Sequence, residues 1–496
     1  MGKPCIAEVR IRREHPAKMC GRFRTHERVQ RLGDSTELGR MSTSETPEHF
    51  AFAATLDLVR AVRAMRWDQA PEDAREVARH CILDFLGVAV AGSREPLTEI
   101  LINEIVKPEG SSEAGLIGSK QRASRLSAAL VNGAAAHALD FDDTHTAMGG
   151  HPSVPVIPAV LALADSAGLS GREVLEALLI GIELECRLGA LIGAQHYAIG
   201  FHSTGTVGTF GAAAACAHML RLDEDGWLRA LGLAGTQAAG LKSGFGTMAK
   251  PLHAGRAASN GLFSALAARG GYTSNPEIIE TAQGFAVTHA GAKPSREVLD
   301  RFAGRFLIRE TLFKYHASCY LTHAPINAAE QIRAENRVDP KSIDEVEVRV
   351  HPALFGVCNI QEPKTGLEAK FSLRATTAMA LLGEDTSNLE TFTDAKVTEE
   401  RVVSLRNRIR IVRDEKTPST HATVVVKSNG RIFQAESDSG QPASDLVAQR
   451  ENLTRKFMAL TAPILGRRNA DALASAALNA DQLASASQLI DLTQAS

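Results

Sequence analysis

Aromatic residues make up only 5% of this 496-residue chain, and that scarcity argues against an all-β sandwich, whose strands draw on aromatic and β-branched side chains. The seven cysteines, Cys5, Cys20, Cys81, Cys186, Cys216, Cys319 and Cys358, are scattered, and no Cys-x-x-Cys pair occurs. An odd, dispersed set excludes a disulfide framework and lacks the close thiolate spacings of zinc and iron–sulfur sites. A reducing cytoplasm is the expected compartment. No uninterrupted apolar run of about 18 residues exists and the N-terminus has no apolar signal core, so neither a membrane span nor secretion is expected. A formal net charge of −2 leaves no basic surplus for nucleic acid or an anionic membrane. The glycine signatures of nucleotide-binding loops and the Gly-x-Ser-x-Gly elbow are missing as well.

What is present is a chain that is 44% hydrophobic and 23% charged, long enough for two domains or three. Residues 1–48 are basic and broken, with little apolar periodicity, and read as a disordered or non-native extension. Met41, ahead of Ser-Thr-Ser-Glu-Thr-Pro and an amphipathic run, marks the expected natural start. From 49 to 306 the pattern is helix after helix, rich in Ala and Gly, with apolar residues at i, i+3, i+4 and i+7. Ser170 with Glu173, and Asp223 ahead of Trp227, read as helix N-caps. Between 307 and 440, alternating strands at 343–350 and 408–414 and a hairpin around Asn429-Gly430 mix with helical segments. Residues 441–496 are helical again. The expected fold is therefore mainly α, a large all-α helical bundle domain with an inserted smaller α+β domain and C-terminal helices returning to the bundle.

Four stretches carry unusual polar residues. In NGAAAHALDFDDTHTAMGGHPSVPVIP, residues 132–158, an Ala-rich run ends in Asp140, Asp142, Asp143, Thr144, His145 and His151, each of which needs a partner if buried. In GFHSTGTVGTFGAAA, His202 precedes a helix start whose free N–H groups suit a carboxylate. In SGFGTMAKPLHAGRAASNG, Lys250, His253 and Arg256 sit on a loop entering a helix, and a Lys there opposes the helix dipole unless an anion is present. In LFKYHASCYLTHAP, Lys314, His316, Cys319 and His323 lie beside the domain junction, where ligand sites concentrate. Each has a bland reading too: a solvated helix end, an ordinary N-cap, a surface lysine. Acids, imidazoles and amines without a cofactor motif are equipment for proton transfer next to a carboxylate.

Together, LDFDDTH…GHPS at 139–153, GFHSTGT at 200–206, GTMAKPLHAGRAASNG at 246–261, KYHASCYLTHAP at 314–325 and TGLEAKFSLRATTAMALL at 365–382 resemble the MmgE/PrpD family. That family includes 2-methylcitrate dehydratase, cis-aconitate decarboxylase and iminodisuccinate epimerase. The resemblance implies a helical domain with an α+β lid, a homodimer, a small polycarboxylate substrate, and no metal or organic cofactor. It also implies one pocket lined by Asp140, Thr144, His151, Lys250 and Lys314, with His202 beside them. The expected division of labour gives proton transfer to His151, oriented by Asp140 or Asp143, and charge neutralisation to Lys250, Lys314 and Arg256. Thr144, His202, His253 and Cys319 complete the substrate contacts; at Cys319 some decarboxylases of the family carry His. Dehydration of a 2-methylcitrate-like hydroxy acid is the expected reaction. Its alternatives are epimerisation of an iminodisuccinate-like acid, decarboxylation of cis-aconitate, and a non-catalytic polycarboxylate-binding helical protein.

Overall fold

The computed structural model describes residues 52–494, so the expectations for the first 48 residues fall outside it. Its principal helices are α1 Glu72–Gly92, α2 Arg125–His137, α3 Ser153–Ala167, α4 Gly171–Ile192, α5 Ser203–Met219 and α6 Ala249–Arg269, followed by α7 His323–Asn336, α8 Leu373–Leu382 and α9 Leu446–Leu465. Local chemistry starts several of them. Ser124 caps α2 by accepting the Ser127 N–H, Ser170 and Glu173 form a reciprocal capping box on α4, and Asp223 accepts the Gly226 N–H ahead of helix Glu224–Gly235. Every residue of α5 from Ser203 to Ala217 is buried, so this helix runs through the interior with neighbours on all sides. Among the described residues no helix is long and apolar enough to cross a membrane.

A four-stranded sheet holds β1 Ile343–Val350, β2 Ile409–Arg413, β3 His421–Ser428 and β4 Arg431–Asp438 in the order β2-β1-β3-β4. β1 runs parallel to β2, with Val346 opposite Ile409 and Val350 opposite Arg413. β3 lies antiparallel to β1 and to β4. Asn429 and Gly430, with φ of 50° and 71°, make the two-residue hairpin turn between β3 and β4, as left-handed central residues must. Ile343, Val346, Val348 and Val350 turn one face of β1 inward, and α7 and α8 cover the sheet there.

Two hydrophobic cores result. One draws on the helices from Ala54 onward and is closed by Leu453, Phe457, Leu473, Leu489 and Ile490 of the C-terminal helices. The other runs from Cys319 to Ala435 around the sheet. In the first, α2 and α6 cross at two glycines: a Cβ on Gly133 would lie 2.9 Å from Gly255 Cα, and one on Gly255 only 2.2 Å from Leu130 O. This crossing brings the start of α6, with Lys250, against the turn that follows α2.

The crossing predicts that Gly255→Ala lowers stability by at least about 2 kcal/mol, since backbone and not a flexible side chain must move. Chemical denaturation checks it; an unchanged midpoint would show that the helices separate freely.

Candidate active site

α2 ends at His137, and the chain turns sharply through Asp140, whose φ is +52°, a left-handed conformation that Asp tolerates better than most residues. The turn points the Asp140 carboxylate inward. Lys250 Nζ donates to Asp140 Oδ1 at 2.6 Å. Lys314 Nζ donates to the same oxygen at 3.0 Å and to the Asp140 carbonyl at 2.6 Å. Lys314 is carried there by a two-bond bridge in which Thr144 and Leu312 exchange N–H···O bonds at 2.8 Å. Lys370, just ahead of α8, donates to the Leu139 carbonyl at 3.3 Å. Burial alone would raise the Asp140 carboxyl, but Lys250 and Lys314 outweigh it and hold it well below the ordinary carboxylate range. For Lys314 the balance falls the same way: burial works against its charge, and Asp140 more than restores it. Lys370 has weaker support, and burial brings it down to about 8.

The neighbouring acids behave differently. Asp142 faces two imidazoles: His137 Nδ1 lies 2.9 Å and 3.0 Å from its two oxygens, and His151 Nδ1 lies 3.0 Å from Oδ2. Burial opposes its charge, yet His137 and His151 bring its carboxyl well below the usual range. His151 Nδ1 also lies 2.7 Å from the Asp143 carbonyl. With only acceptors around it, this nitrogen carries a hydrogen and Nε2 is the atom free to exchange protons; it stands 3.9 Å from Asp140 Oδ1. Of the two residues expected to orient the ring, Asp143 holds it through its backbone carbonyl and Asp140 stands farther off, while Asp142, to which no such role was given, places its carboxylate beside the same nitrogen. Asp143 is pushed up to about 8 by burial and by Asp84; it takes the Ser153 N–H and hydroxyl and holds the start of α3.

The other expected residues divide. His202 is buried, stacks on His137 at 5.6 Å between ring centroids and meets His253, Nδ1 to Nδ1, at 3.1 Å. Burial lowers both rings, His202 far below the usual range. Thr144 donates its hydroxyl to the Gly150 carbonyl. Cys319 is buried, with its thiol beside that of Cys358 and within the field of Asp140 and Lys314. Arg256 is exposed and makes no contact with this cluster. The reason is helical phase: six residues after Lys250 on α6, it lies about 120° around the helix from it. Lys250 itself lies in the first turn of α6 and not on a loop, and Asp140 is the anion that offsets its clash with the helix dipole. Neither His137 nor Lys370 is named from the sequence, and Asp142 is named there only among the crowded polar residues, without a role. A histidine inside an Ala-rich helix reads as core, so only its spacing to the acids could have singled it out.

One ring nitrogen each from His137, His151 and His202 lies within 4.8 Å of the other two, as do ligand atoms of His137, Asp140, Asp142 and His151. These are the groups that could hold a metal ion, but Asp140 is already engaged by two ammonium groups and Asp142 by two imidazoles. A cavity of about 700 Å³ lined by Arg60, Glu176, His218 and Trp227 among others shares no residue with this cluster. Among its charges Arg60 pairs with Glu224, His218 with Glu176 and Arg221 with Glu173.

Residues 56–297 match the MmgE/PrpD N-terminal domain and residues 316–482 the MmgE/PrpD C-terminal domain. The cis-aconitate decarboxylase of Aspergillus terreus is 31% identical over 313 residues, 59% of this chain and 63% of that protein, so the chain spans less than two thirds of that relative. The cis-aconitate decarboxylases of Mus musculus and Homo sapiens are each 27% identical, over 80% and 87% of this chain and 84% and 92% of their own lengths.

Two aspartates three residues apart are expected to respond oppositely to an isosteric change. Asp140→Asn leaves two buried ammonium groups unpaired and costs about 3–5 kcal/mol. Asp143 holds its proton in the fold up to about pH 8 and in the unfolded chain only to about pH 4. The unfolded state therefore binds fewer protons between these values, and wild-type stability falls as pH rises. Asp143→Asn removes that loss, so its melting temperature gains on wild type from about pH 5 to about pH 8; a difference that stays flat would mean Asp143 is ionised in the fold.

Proposed function

The chain belongs to the MmgE/PrpD family, and from that premise we propose that it is a lyase of small polycarboxylates whose best-supported reaction is decarboxylation of a cis-aconitate-like tricarboxylate. The observation that carries the reading is the surplus of buried amines: Lys250 and Lys314 pair with the single carboxylate of Asp140, and Lys370, bonded to the Leu139 carbonyl, lies within its field. A substrate with two or three carboxylates balances that surplus. The named activity of the relatives supports the choice among reactions.

In this reading the C–CO₂ bond breaks, CO₂ leaves, and the electron pair moves through the adjacent double bond towards a remaining carboxylate. Lys250 and Lys314 stabilise the charge that develops there, in a site without bulk water. His151 delivers its Nε2 proton to the carbon, and Asp142 at Nδ1 stabilises the charged ring before it does so. Proton delivery rests on His151, so Cys319 need not be a histidine. Asp140, Lys250 and Lys314 are all buried, so substrate entry requires opening. We assign that motion to the α+β part, which carries Lys314 and Lys370 and acts as a lid.

One observation favours dehydration of a hydroxy acid as the second reading. His137 Nε2 is buried without a hydrogen-bond partner, and a substrate hydroxyl supplies the donor that an alkene tricarboxylate lacks.

The test is NMR in D₂O with cis-aconitate, 2-methylcitrate, citrate and iminodisuccinate. CO₂ with one deuterium placed in an unsaturated diacid is expected from cis-aconitate. Alkene from a hydroxy acid without CO₂ moves the assignment to a dehydratase, deuterium exchange alone to an epimerase, and inertness towards all four to a binding protein. Activity is expected to survive EDTA in full. Because Lys370 sheds its charge near pH 8, KM is expected to rise above that pH in wild type and to lose that rise in Lys370→Met; the same rise in both would release Lys370 from substrate binding.

A further inference from the structure

We propose that His137 is a second catalytic residue of this pocket, the proton acceptor that works opposite His151 on a carboxylate both rings share. The proposal rests on the polycarboxylate reading above and deepens it by separating acid from base.

The sharing is geometric. Asp142 takes the Nδ1–H of His137 between its two oxygens, and its Oδ2 lies 3.0 Å from His151 Nδ1, whose hydrogen points to the Asp143 carbonyl. One carboxylate balances one imidazolium. The two rings meet edge to face with centroids 4.6 Å apart, so two positive rings at that distance repel strongly in a site without water. The pair therefore holds one extra proton at most. Of the two rings His151 is the one a proton from solvent reaches, since its side chain keeps 12% exposure and its Nε2 faces Asp140. His137 has no exposure at its side chain; burial opposes its charge more than Asp142 favours it, and it falls to about 4. It stays a neutral ring with its lone pair at Nε2. Rings on one carboxylate held in opposite protonation states are the arrangement that acid–base pairs use.

The lone pair has nothing to bind in the fold. His137 Nε2 is buried and without a hydrogen-bond partner, an omission that costs about 1–3 kcal/mol. One nitrogen of its ring lies within 4.8 Å of one nitrogen each of His151 and His202, and the ring feels the charge of Lys250.

The step balances as an elimination. His137 Nε2 takes the proton from the carbon next to a substrate carboxylate, and the electron pair forms the double bond as the C–O bond breaks. His151 Nε2–H protonates the departing hydroxyl, which leaves as water. The proton gained by His137 and lost by His151 is evened out through solvent when the site opens. Decarboxylation needs only the proton from His151. The two histidines should therefore separate by reaction.

His137→Asn tests this. Its amide keeps an N–H towards Asp142 and removes the distal nitrogen; His137→Gln serves the same purpose should the first variant melt early. Wild type, both variants and His151→Gln are incubated with cis-aconitate and 2-methylcitrate in D₂O. Deuterium in the recovered acid, alkene formation and CO₂ release are followed, with KM and melting temperature. Loss of His137 is expected to lower exchange and dehydration by at least about 100-fold, the scale of a general base. CO₂ release should fall by less than about 10-fold and KM should stay within about 3-fold, whereas His151→Gln lowers all the reactions. Retained exchange in a His137 variant overturns the proposal, and so does parallel loss of every reaction at an unchanged melting temperature, which marks a ring that only positions His151. A wild type that exchanges and eliminates nothing but releases CO₂ overturns the base role and leaves the lyase reading standing. One that turns over neither acid overturns both.

Discussion

Asp140 Oδ1 is the atom on which the rest of the site depends. A carboxylate taken out of water is costly, and so is each buried ammonium group, but the three together satisfy one another. Lys250 lies 110 residues along the chain from Asp140 and Lys314 lies 174, so one oxygen ties the turn after α2 to the start of α6 and to the segment that leads into the second core. The arrangement is closed without a substrate. It carries more positive than negative groups once Lys370 is included, which makes an incoming carboxylate the group that completes it. Binding and folding draw on the same charges.

The packing that permits this is made of small residues. Gly133 and Gly255 let α2 and α6 approach until backbone meets backbone, and a bulkier pair would carry Lys250 away from Asp140. A second buried pair reinforces the frame from the C-terminal side: Lys456 of α9 donates to Asp84 Oδ1 and to the Phe141 carbonyl, both at 2.6 Å. The peptide that follows Asp140 is thereby fixed as firmly as the side chain.

Much of this was legible in the sequence, and the limits were physical. The helical periodicity, the caps at Ser170 and Asp223 and the Asn429-Gly430 turn are local signals, and each appears where it was read. The parallel pairing of β1 with β2 is not local; nearly sixty residues separate them, and alternation cannot say which strand lies beside which. The crowding of acids and imidazoles in 132–158 and the oddly placed Lys250 pointed to segments that the fold does bring together. Which carboxylate faces which ring was not readable, because the left-handed turn at Asp140 reorients everything after it. Arg256 stood near Lys250 in sequence but not in space, and His137 had the opposite fate, hidden in an Ala-rich helix yet set at the centre.

The three aspartates show why residue type alone could not settle their roles. Asp140 is held ionised by two amines and Asp142 by two imidazoles, while Asp143, facing a serine and the nearby Asp84, keeps its proton to about pH 8. Each state follows from what the backbone presents: amines to the first, rings to the second, hydroxyl and amide to the third. If all three were ionised, three negative charges would stand within four residues in a buried turn, and Lys250 and Lys314 could not offset them. Protonating the one that has no cation lets the other two stay charged. That leaves Asp140 to anchor the amines and Asp142 to face the rings, so the cluster keeps its two kinds of cationic partner apart within a single turn of chain.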